Sequence, residues 1–204
     1  MTRARIFLLS PASCGGERAR VLLREEASFP LAVDLRERGA PLGEVFAFLS
    51  GLYFRGKLAY AHAFARPPLQ VPGVRIITPT RGLVDPATRV TRDDLLEFAT
   101  VDVASGGERY RAPLARDVTA LAGAAGADCQ AVLLGSIATR KYLDVLRQLL
   151  GERLRFPLEF VGRGDMSRGG LLLRCVEEGR ELTYAAVPEK PLRGTRPPKL
   201  PPRA

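Results

Sequence analysis

The sequence is poor in the residues that build metal centres, disulfide frameworks and histidine-based catalytic sites. It has one histidine, His62, and three cysteines, Cys14, Cys129 and Cys175, among 204 residues. The cysteines are widely spaced and form no CxxC pair, so they predict neither a disulfide framework nor a zinc site. A single histidine inside an apolar helical stretch leaves little for a Ser-His-Asp triad or a histidine-rich metal site. We therefore predict no metal and no cofactor.

Long apolar runs are also absent. No stretch of eighteen apolar residues occurs, and the run Ile6–Leu9 is too short for the apolar core of a signal peptide. The odd, unpaired set of cysteines favours a reducing compartment. We expect a cytoplasmic protein that does not engage a membrane.

Positive charge is abundant. Lysine and arginine number 31 against 22 acidic residues, which gives a net charge of +9 and a pI near 10.1. Such an excess predicts a phosphate-rich partner, nucleic acid above all, because bound cations displace condensed counterions. Most of the cations are arginine in a chain also rich in Ala, Gly and Leu, and GC-rich coding produces the same composition. Charge alone leaves both interpretations open.

The apolar pattern predicts a folded α/β domain over residues 1–187. Hydrophobic residues make up 46% of the chain, enough to build a core. Short apolar runs bounded by turn formers predict four strands, and helical periodicity predicts the segments between them, with one broken helix or two over Leu42–Phe64. The predicted strands are Arg5–Leu9, Val74–Thr78, Thr100–Val103 and Ala131–Leu134; the other predicted helices are Glu17–Glu26, Pro113–Ala122 and Thr139–Leu150.

The last section predicts a loop, a hairpin and a tail. Gly162–Gly170 is rich in glycine and arginine, as loops are. Leu171–Cys175 and Glu181–Val187 are predicted to pair as a hairpin that turns at Glu178-Gly179. Residues 188–204 are dominated by Pro, Arg and Lys, which cannot bury a core, so we predict a disordered or extended basic tail. Such a tail is also a candidate site for a protein partner.

Polar residues follow the predicted strands, and the loops after Leu9, Thr78, Val103 and Leu134 are expected to converge on one crevice. Two acids and a hydroxyl there are candidates for catalysis, with Asp102 or Asp85 as the base and Ser136 beside it. Ser10, Ser13, Thr80, Arg81 and Lys141 are candidates for holding phosphate. The alternative for each residue is a cap or turn, because Asp, Ser and Thr are favoured there for local hydrogen bonds.

Three further features carry two interpretations each. Arg55 and Lys57 interleave with Tyr53, Phe54 and Tyr60, a mixture that stacks bases and neutralises phosphate, or that packs a core with solvated cations. Arg163 and Arg168 stand among glycines that can cradle a phosphate, or that merely connect two elements. Cys14 is either a thiolate favoured by a helix N-terminus or a small buried side chain.

Five segments carry a resemblance to known proteins through their order and spacing: Ile6–Cys14, Gly51–Ala61, Thr78–Pro86, Gly135–Tyr142 and Pro157–Gly164. Together they resemble a loose group of proteins with a uracil-DNA-glycosylase-like α/β/α fold. The group includes bacterial peroxide-stress DNA-binding proteins, a domain of archaeosine synthases and uncharacterised bacterial relatives. The resemblance spans about residues 5–170 and implies a three-layer α/β/α fold with a mostly parallel central sheet.

The chain departs from true uracil glycosylases in one respect. It lacks the paired acidic and histidine motifs with which they activate water and hold the leaving base. Nucleic-acid binding on a glycosylase-like scaffold is therefore the first functional prediction. The alternative is a small-molecule enzyme that acts on a nucleoside or nucleotide, through N-glycosidic or phosphate chemistry, in the strand-end crevice.

Overall fold

A computed structural model describes residues 3–103, 106–137, 142–188, 194–195 and 197–198. Strands and helices alternate along most of the chain. The strands are β1 (Arg5–Leu9), β2 (Ala40–Pro41), β3 (Val74–Ile77), β4 (Leu83–Val84), β5 (Arg89–Val90), β6 (Gln130–Leu134), β7 (Leu154–Pro157) and β8 (Tyr184–Ala186). The helices are α1 (Glu17–Leu22), α2 (Pro30–Glu37), α3 (Leu42–Ser50), α4 (Leu52–Phe64), α5 (Arg92–Ala99), α6 (Glu108–Ala125), α7 (Leu143–Leu150) and α8 (Asp165–Glu177), with short 3₁₀ turns at Gly151–Arg153 and Leu158–Phe160.

The central sheet has six strands in the order β4-β3-β1-β6-β7-β8. The four inner strands run parallel, and the edge strands β4 and β8 are antiparallel to their neighbours. Every residue of β1 is buried, as expected of a central parallel strand that is covered on both faces. A separate two-stranded ribbon pairs β2 with β5.

Alternate side chains of β1 enter two different cores, because successive residues of a strand point to opposite faces. Phe7 and Leu9 pack with α1 to α5 and α8, and Ile6 and Leu8 pack with α6 and α7. The fold is therefore a three-layer α/β/α sandwich with a mostly parallel sheet, as predicted.

Two glycines bring α4 and α8 into close contact. A Cβ atom on Gly169 would lie 2.7 Å from the main-chain oxygen of Leu52, and one on Gly56 would lie 2.7 Å from the main-chain oxygen of Gly169. Both approaches are shorter than van der Waals contact, so neither helix accepts a side chain there. The pair sets the separation of the two helices next to residue 57 of α4.

Most predicted elements are confirmed. β1 has its predicted bounds, and the stretch Leu42–Phe64 is two helices that break at Gly51. The strand predicted over Thr100–Val103 is wrong: Thr100 caps the C-terminus of α5, and the residues that follow pair with no strand in the described part of the chain. A β-branched composition favours a strand only where the segment pairs and packs in a sheet, and this segment instead leaves α5 and lines the cleft.

The predicted end of the domain needs a second correction. Leu171–Cys175 lies in α8 and forms no hairpin, and β8 pairs with β7 instead. Most of the predicted loop Gly162–Gly170 also belongs to α8, which begins at Asp165. A five-residue run with four apolar residues fits a strand or a buried helix equally well, and contact with α4 selects the helix.

Part of the C-terminal segment is described. Thr195 and Pro197 lie against Gly162, so these two residues contact the domain. Most of the predicted tail lies outside the described residues. Within the residues that the structure covers, none of the helices has the length and apolar character needed to cross a bilayer.

Candidate functional site

A cleft of about 720 Å³ opens at the carboxyl ends of the parallel strands. In the sheet order, the chain runs from β1 to β3 on one side and later places β6 on the other side of β1. The connections that leave β1 and β6 therefore diverge, toward α1 on one face and α7 on the other. Such switch points form the ligand crevices of open α/β sheets.

Three of the predicted strand-end segments lie on this cleft, namely the turn after β1, the first residue after Thr78, and Ser136 after β6. The chain past the end of α5 also lines the cleft, although it follows a helix and not the predicted strand. The polar residues on the lining are Ser10, Ser13, Ser50, Tyr53, Lys57, Thr100, Asp102, Ser136, Tyr142 and Asp165. The lining thus combines hydroxyl groups, two carboxylates, an amine and aromatic rings.

Lys57 is the most unusual of these residues. Its side chain, on α4, is only 1% exposed. The amine donates hydrogen bonds to the main-chain oxygen of Ser10 at 2.6 Å and to Ser10 Oγ at 2.9 Å. It also lies over the rings of Tyr53 and Phe54, 4.7 and 4.5 Å from their centroids. Lys57 therefore connects α4 to the end of β1 at the base of the cleft.

The surroundings of Lys57 favour the neutral amine. Burial lowers the pKa of Lys57 from its ordinary 10.5 to about 7, and Arg168 acts in the same direction while Asp165 opposes both. None of the ion pairs between described residues includes Lys57. A substantial fraction of the chains therefore carries an uncharged amine at neutral pH.

Tyr142 and Ser10 meet beside this amine across Gly135. A Cβ atom on Gly135 would lie 2.6 Å from the Tyr142 hydroxyl and 2.8 Å from Ser10 Cβ, so only glycine permits this approach. The Tyr142 hydroxyl donates to the main-chain oxygen of Ser136 at 3.0 Å. Burial raises the pKa of Tyr142 to about 12, with Ser10 and Ser136 acting in the opposite direction, so the phenol stays protonated at neutral pH.

Two carboxylates stand at the rim. Asp165, the first residue of α8, is 69% exposed and pairs with Arg168 at 3.4 Å. Asp102 is exposed on the segment between α5 and α6. Both carboxylates keep contact with water, in contrast to the buried amine of Lys57.

Cys14 also lines the cleft, but its environment disfavours the thiolate. The side chain is 6% exposed and its sulfur donates to the main-chain oxygen of Ala12 at 3.8 Å. Burial raises the pKa of Cys14 to about 12. Of the two interpretations of Cys14, the structure favours a small buried side chain.

Five of the predicted site residues come together on the lining: Ser10, Ser13, Lys57, Asp102 and Ser136. Asp85 does not join them, since it pairs with Arg75 at 2.8 Å and accepts the Ala87 N–H at 2.9 Å, which are the contacts of a turn residue. Thr80 lies in the turn between β3 and β4, outside the lining. Lys141 lies outside the described residues.

The predicted phosphate-binding arginines are also elsewhere. Arg81 pairs with Asp94 and, at 2.8 Å, with Glu97. Arg163 donates to the main-chain oxygen of Glu159 at 3.0 Å. Arg55 is exposed on α4.

Arg168 stabilises the start of α8 through contacts with the main chain. Its side chain is 12% exposed and donates twice to the main-chain oxygen of Phe160, at 3.1 and 3.3 Å. The predicted glycine-rich phosphate cradle is therefore a helix start stabilised by its own arginines.

The base-stacking surface predicted around Arg55 is not formed as such. Phe54 and Tyr60 are fully buried, and Tyr53 is 5% exposed at the cleft wall. Lys57, expected to be solvated if the aromatic residues pack the core, is buried with them. Sequence reasoning missed Phe98, Tyr142 and Asp165 as lining residues. Asp165 was missed because Gly162–Gly170 was predicted to be a loop. The signal that could have identified it is the helix that begins after Gly164, with Asp165 in its first turn.

In comparisons with known proteins, no family model, no curated protein and no solved structure matches this chain. The likeness to uracil-DNA-glycosylase-like proteins therefore stays a prediction. Within the described residues, no group of three or more His, Cys, Asp or Glu side chains is arranged to hold a metal ion.

Proposed function

We propose that this chain is an enzyme that acts on a nucleoside in the cleft between the ends of β1 and β6. The observation that carries the proposal is the convergence of hydroxyls, two carboxylates and a buried amine on one cleft at the switch point of the sheet. Its volume of about 720 Å³ lies within the range of small-molecule sites. Fold alone does not determine chemistry, so the argument rests on the lining.

The lining matches the two halves of a nucleoside. Tyr53, Phe98 and Tyr142 contribute aromatic side chains to its wall, where a base can make apolar contacts, although each side chain is largely buried. Serine hydroxyls at positions 10, 13 and 136 both donate and accept hydrogen bonds, as ribose hydroxyls and base edges require. No comparable combination lines the smaller pockets found in the described part of the chain.

Charge favours a nucleoside over a nucleotide. Of the lining residues that the structure describes, Lys57 is the cation and Asp102 and Asp165 are the anions. A phosphate group would meet these carboxylates, of which Asp165 is paired with Arg168, and an amine whose positive charge is disfavoured by burial. A neutral ligand needs no counter-charge from this lining.

The carboxylates at the rim supply a route for hydrolysis of an N-glycosidic bond. Asp102 and Asp165 reach water and are acceptor-only groups when ionised, so either can take a proton from an attacking water molecule. The Tyr142 phenol is protonated and lies on the same lining; to donate to a leaving base it would turn its O–H away from the main-chain oxygen of Ser136. These assignments support N-glycosidic rather than phosphate chemistry.

A thermal-shift screen with the common nucleosides, run with two tryptophan variants, tests the proposal. Ligand at 100 times its Kd stabilises the native state by about 2.7 kcal/mol, which for a chain of this size raises Tm by roughly 5–10 °C. Ser13→Trp places a bulky ring on the cleft lining and should abolish the shift; Ser28→Trp, equally exposed but away from the cleft, should retain it. No response from any nucleoside, or equal responses in both variants, would contradict the proposal.

Nucleic-acid binding is a second candidate, supported by the net charge of +9 and by the sequence likeness to DNA-binding proteins. Contacts would lie outside the cleft, on exposed cations such as Arg55. Affinity for single- and double-stranded DNA and RNA should then fall steeply with added salt. Binding that is absent even at low salt would remove this candidate while leaving the nucleoside proposal unaffected.

A further inference from the structure

We propose that the buried amine of Lys57 is a nucleophile that condenses with the carbonyl carbon of a neutral aldehyde bound in the cleft. The inference rests on the proposed function in one respect, namely that the cleft is the site of chemistry. It adds an activity: hydrolysis of a nucleoside would release a free sugar, whose open-chain form is such an aldehyde.

Position is the first argument. Lys57 lines the cleft although it is 1% exposed, so its amine lies at the base of the cleft and is sheltered from bulk water. Its two hydrogen bonds, to Ser10 O at 2.6 Å and Ser10 Oγ at 2.9 Å, hold the nitrogen in one place. A neutral amine has two N–H donors and one lone pair, and these contacts use the donors. The lone pair is left for a carbonyl carbon.

Two charged groups of α8 and uncharged groups of other elements surround the amine. Asp165 and Arg168 of α8 act on it with opposite signs, and the ring of Tyr53 on its own helix lies 4.7 Å from the nitrogen. Ser10 at the end of β1 and the Tyr142 phenol are uncharged at neutral pH. Burial, the largest influence, favours the neutral form that condensation requires.

The reaction balances without any further reagent. The nitrogen lone pair forms a C–N bond as the carbonyl π electrons move to oxygen. A proton passes from nitrogen to that oxygen, and loss of water leaves a C=N bond. Aldehyde and amine thus yield an imine and one water molecule, with no change in oxidation level.

The composition of the chain makes a direct test possible. It contains four lysines, Lys57, Lys141, Lys190 and Lys199, against 27 arginines. Incubation with glyceraldehyde and cyanoborohydride at about pH 7.5 reduces any imine to a stable adduct, and peptide mass spectrometry locates it. A second arm uses the triple variant Lys141→Arg, Lys190→Arg, Lys199→Arg, in which Lys57 is the sole lysine.

We expect Lys57 to be labelled at least about tenfold faster than each other lysine, because a far larger fraction of it is neutral at this pH. The triple variant should keep the label, and Lys57→Met, which fills a similar volume without an amine, should lose it. Glyoxylate, an anionic aldehyde, should label more slowly because of the rim carboxylates. If Lys57 stays unlabelled while the other lysines react, the inference is wrong. If glyoxylate labels Lys57 faster than glyceraldehyde does, the inference that the cleft takes a neutral aldehyde is wrong.

The outcomes separate the two proposals. Labelling of Lys57 together with a silent nucleoside screen would leave the amine chemistry standing and remove the nucleoside. A positive screen without labelling would show that Lys57 only connects α4 to the end of β1 and would rule out its role as a nucleophile. A cooperative thermal transition of Lys57→Met above the labelling temperature confirms that a lost label reflects chemistry and not unfolding.

Discussion

The amine of Lys57 donates a hydrogen bond of 2.6 Å to the main-chain oxygen of Ser10, across 47 positions of sequence. The bond fixes the end of the central strand to the helix that covers it, and it does so with a side chain whose charged form is penalised by burial. Stability and chemistry at the cleft base therefore depend on the same proton.

The first prediction concerns the pH dependence of folding. The folded pKa of Lys57, about 7, lies below the ordinary value of 10.5. Between these values the unfolded chain binds more protons than the folded chain, so stability rises with pH, by up to about 1.4 kcal/mol per pH unit. Denaturant unfolding of the wild type and Lys57→Met at several values from about pH 7.5 to 9.5 measures the difference.

Comparison with Lys57→Met isolates this residue, because the other titrating groups are common to both proteins. The difference in unfolding free energy should move in favour of the wild type as pH increases. A difference that is constant with pH would show that the Lys57 amine titrates alike in both states.

The second prediction concerns the contact between α4 and α8. Gly169→Ala puts a methyl group 2.7 Å from the main-chain oxygen of Leu52, so the helices must separate, at a cost of roughly 1–3 kcal/mol. Gly123→Ala is the matched control, since Gly123 also lies in a helix but has nothing within 4 Å of its added Cβ. The control should stabilise by about 0.5–1 kcal/mol. Equal effects from the two substitutions would contradict the close approach.

A third prediction concerns the thiols. All three cysteines are buried, and burial raises the pKa of each, to about 12 for Cys14. A disulfide reagent at about pH 8 should therefore react slowly with the folded chain and rapidly, with three thiols, after unfolding. Rapid reaction of Cys14 in the native protein would revive its role as a nucleophile.

The fourth prediction separates two arginines that the sequence treats alike. Arg168→Ala removes two of the three donors to the main-chain oxygen of Phe160, leaving only the Arg163 N–H at 3.2 Å, and should cost about 1–3 kcal/mol. Arg55→Ala, at an exposed position, should change stability by less than about 0.5 kcal/mol. Thermal unfolding at low salt gives both values; a stability unchanged by Arg168→Ala would show that its contacts to Phe160 contribute little.

The parallel sheet could be predicted because its strands are continuous apolar runs that end at turn formers. β1 and β6 are recognisable in this way, and the convergence of the loops behind them follows from the general geometry of such sheets. The run Leu171–Cys175 was misassigned because its composition suits a strand as well as a helix. Gly169, a loop signal in the sequence, is small because another helix passes beside it.

The site was predictable only where it consists of loop residues next to strand ends. Ser10, Ser13 and Ser136 belong to that group. The burial of Lys57 could not be predicted from the sequence. It depends on a hydrogen bond to Ser10, which lies on a different element, and on contacts with two rings of its own helix. The pairing of Arg81 with Asp94 likewise depends on how α5 packs, and no local pattern shows that the arginine is already engaged.

The most direct test of the account is an amide NMR titration of the ¹⁵N-labelled chain with the common nucleosides. We predict that one of them shifts the amides of Ser13, Gly15 and Ser136, which line the cleft, and leaves that of Gly126, at the opposite end of the sheet, unchanged. Shifts confined to the region of Gly126, or none with any nucleoside at millimolar concentration, would contradict the claim that the cleft is a nucleoside site.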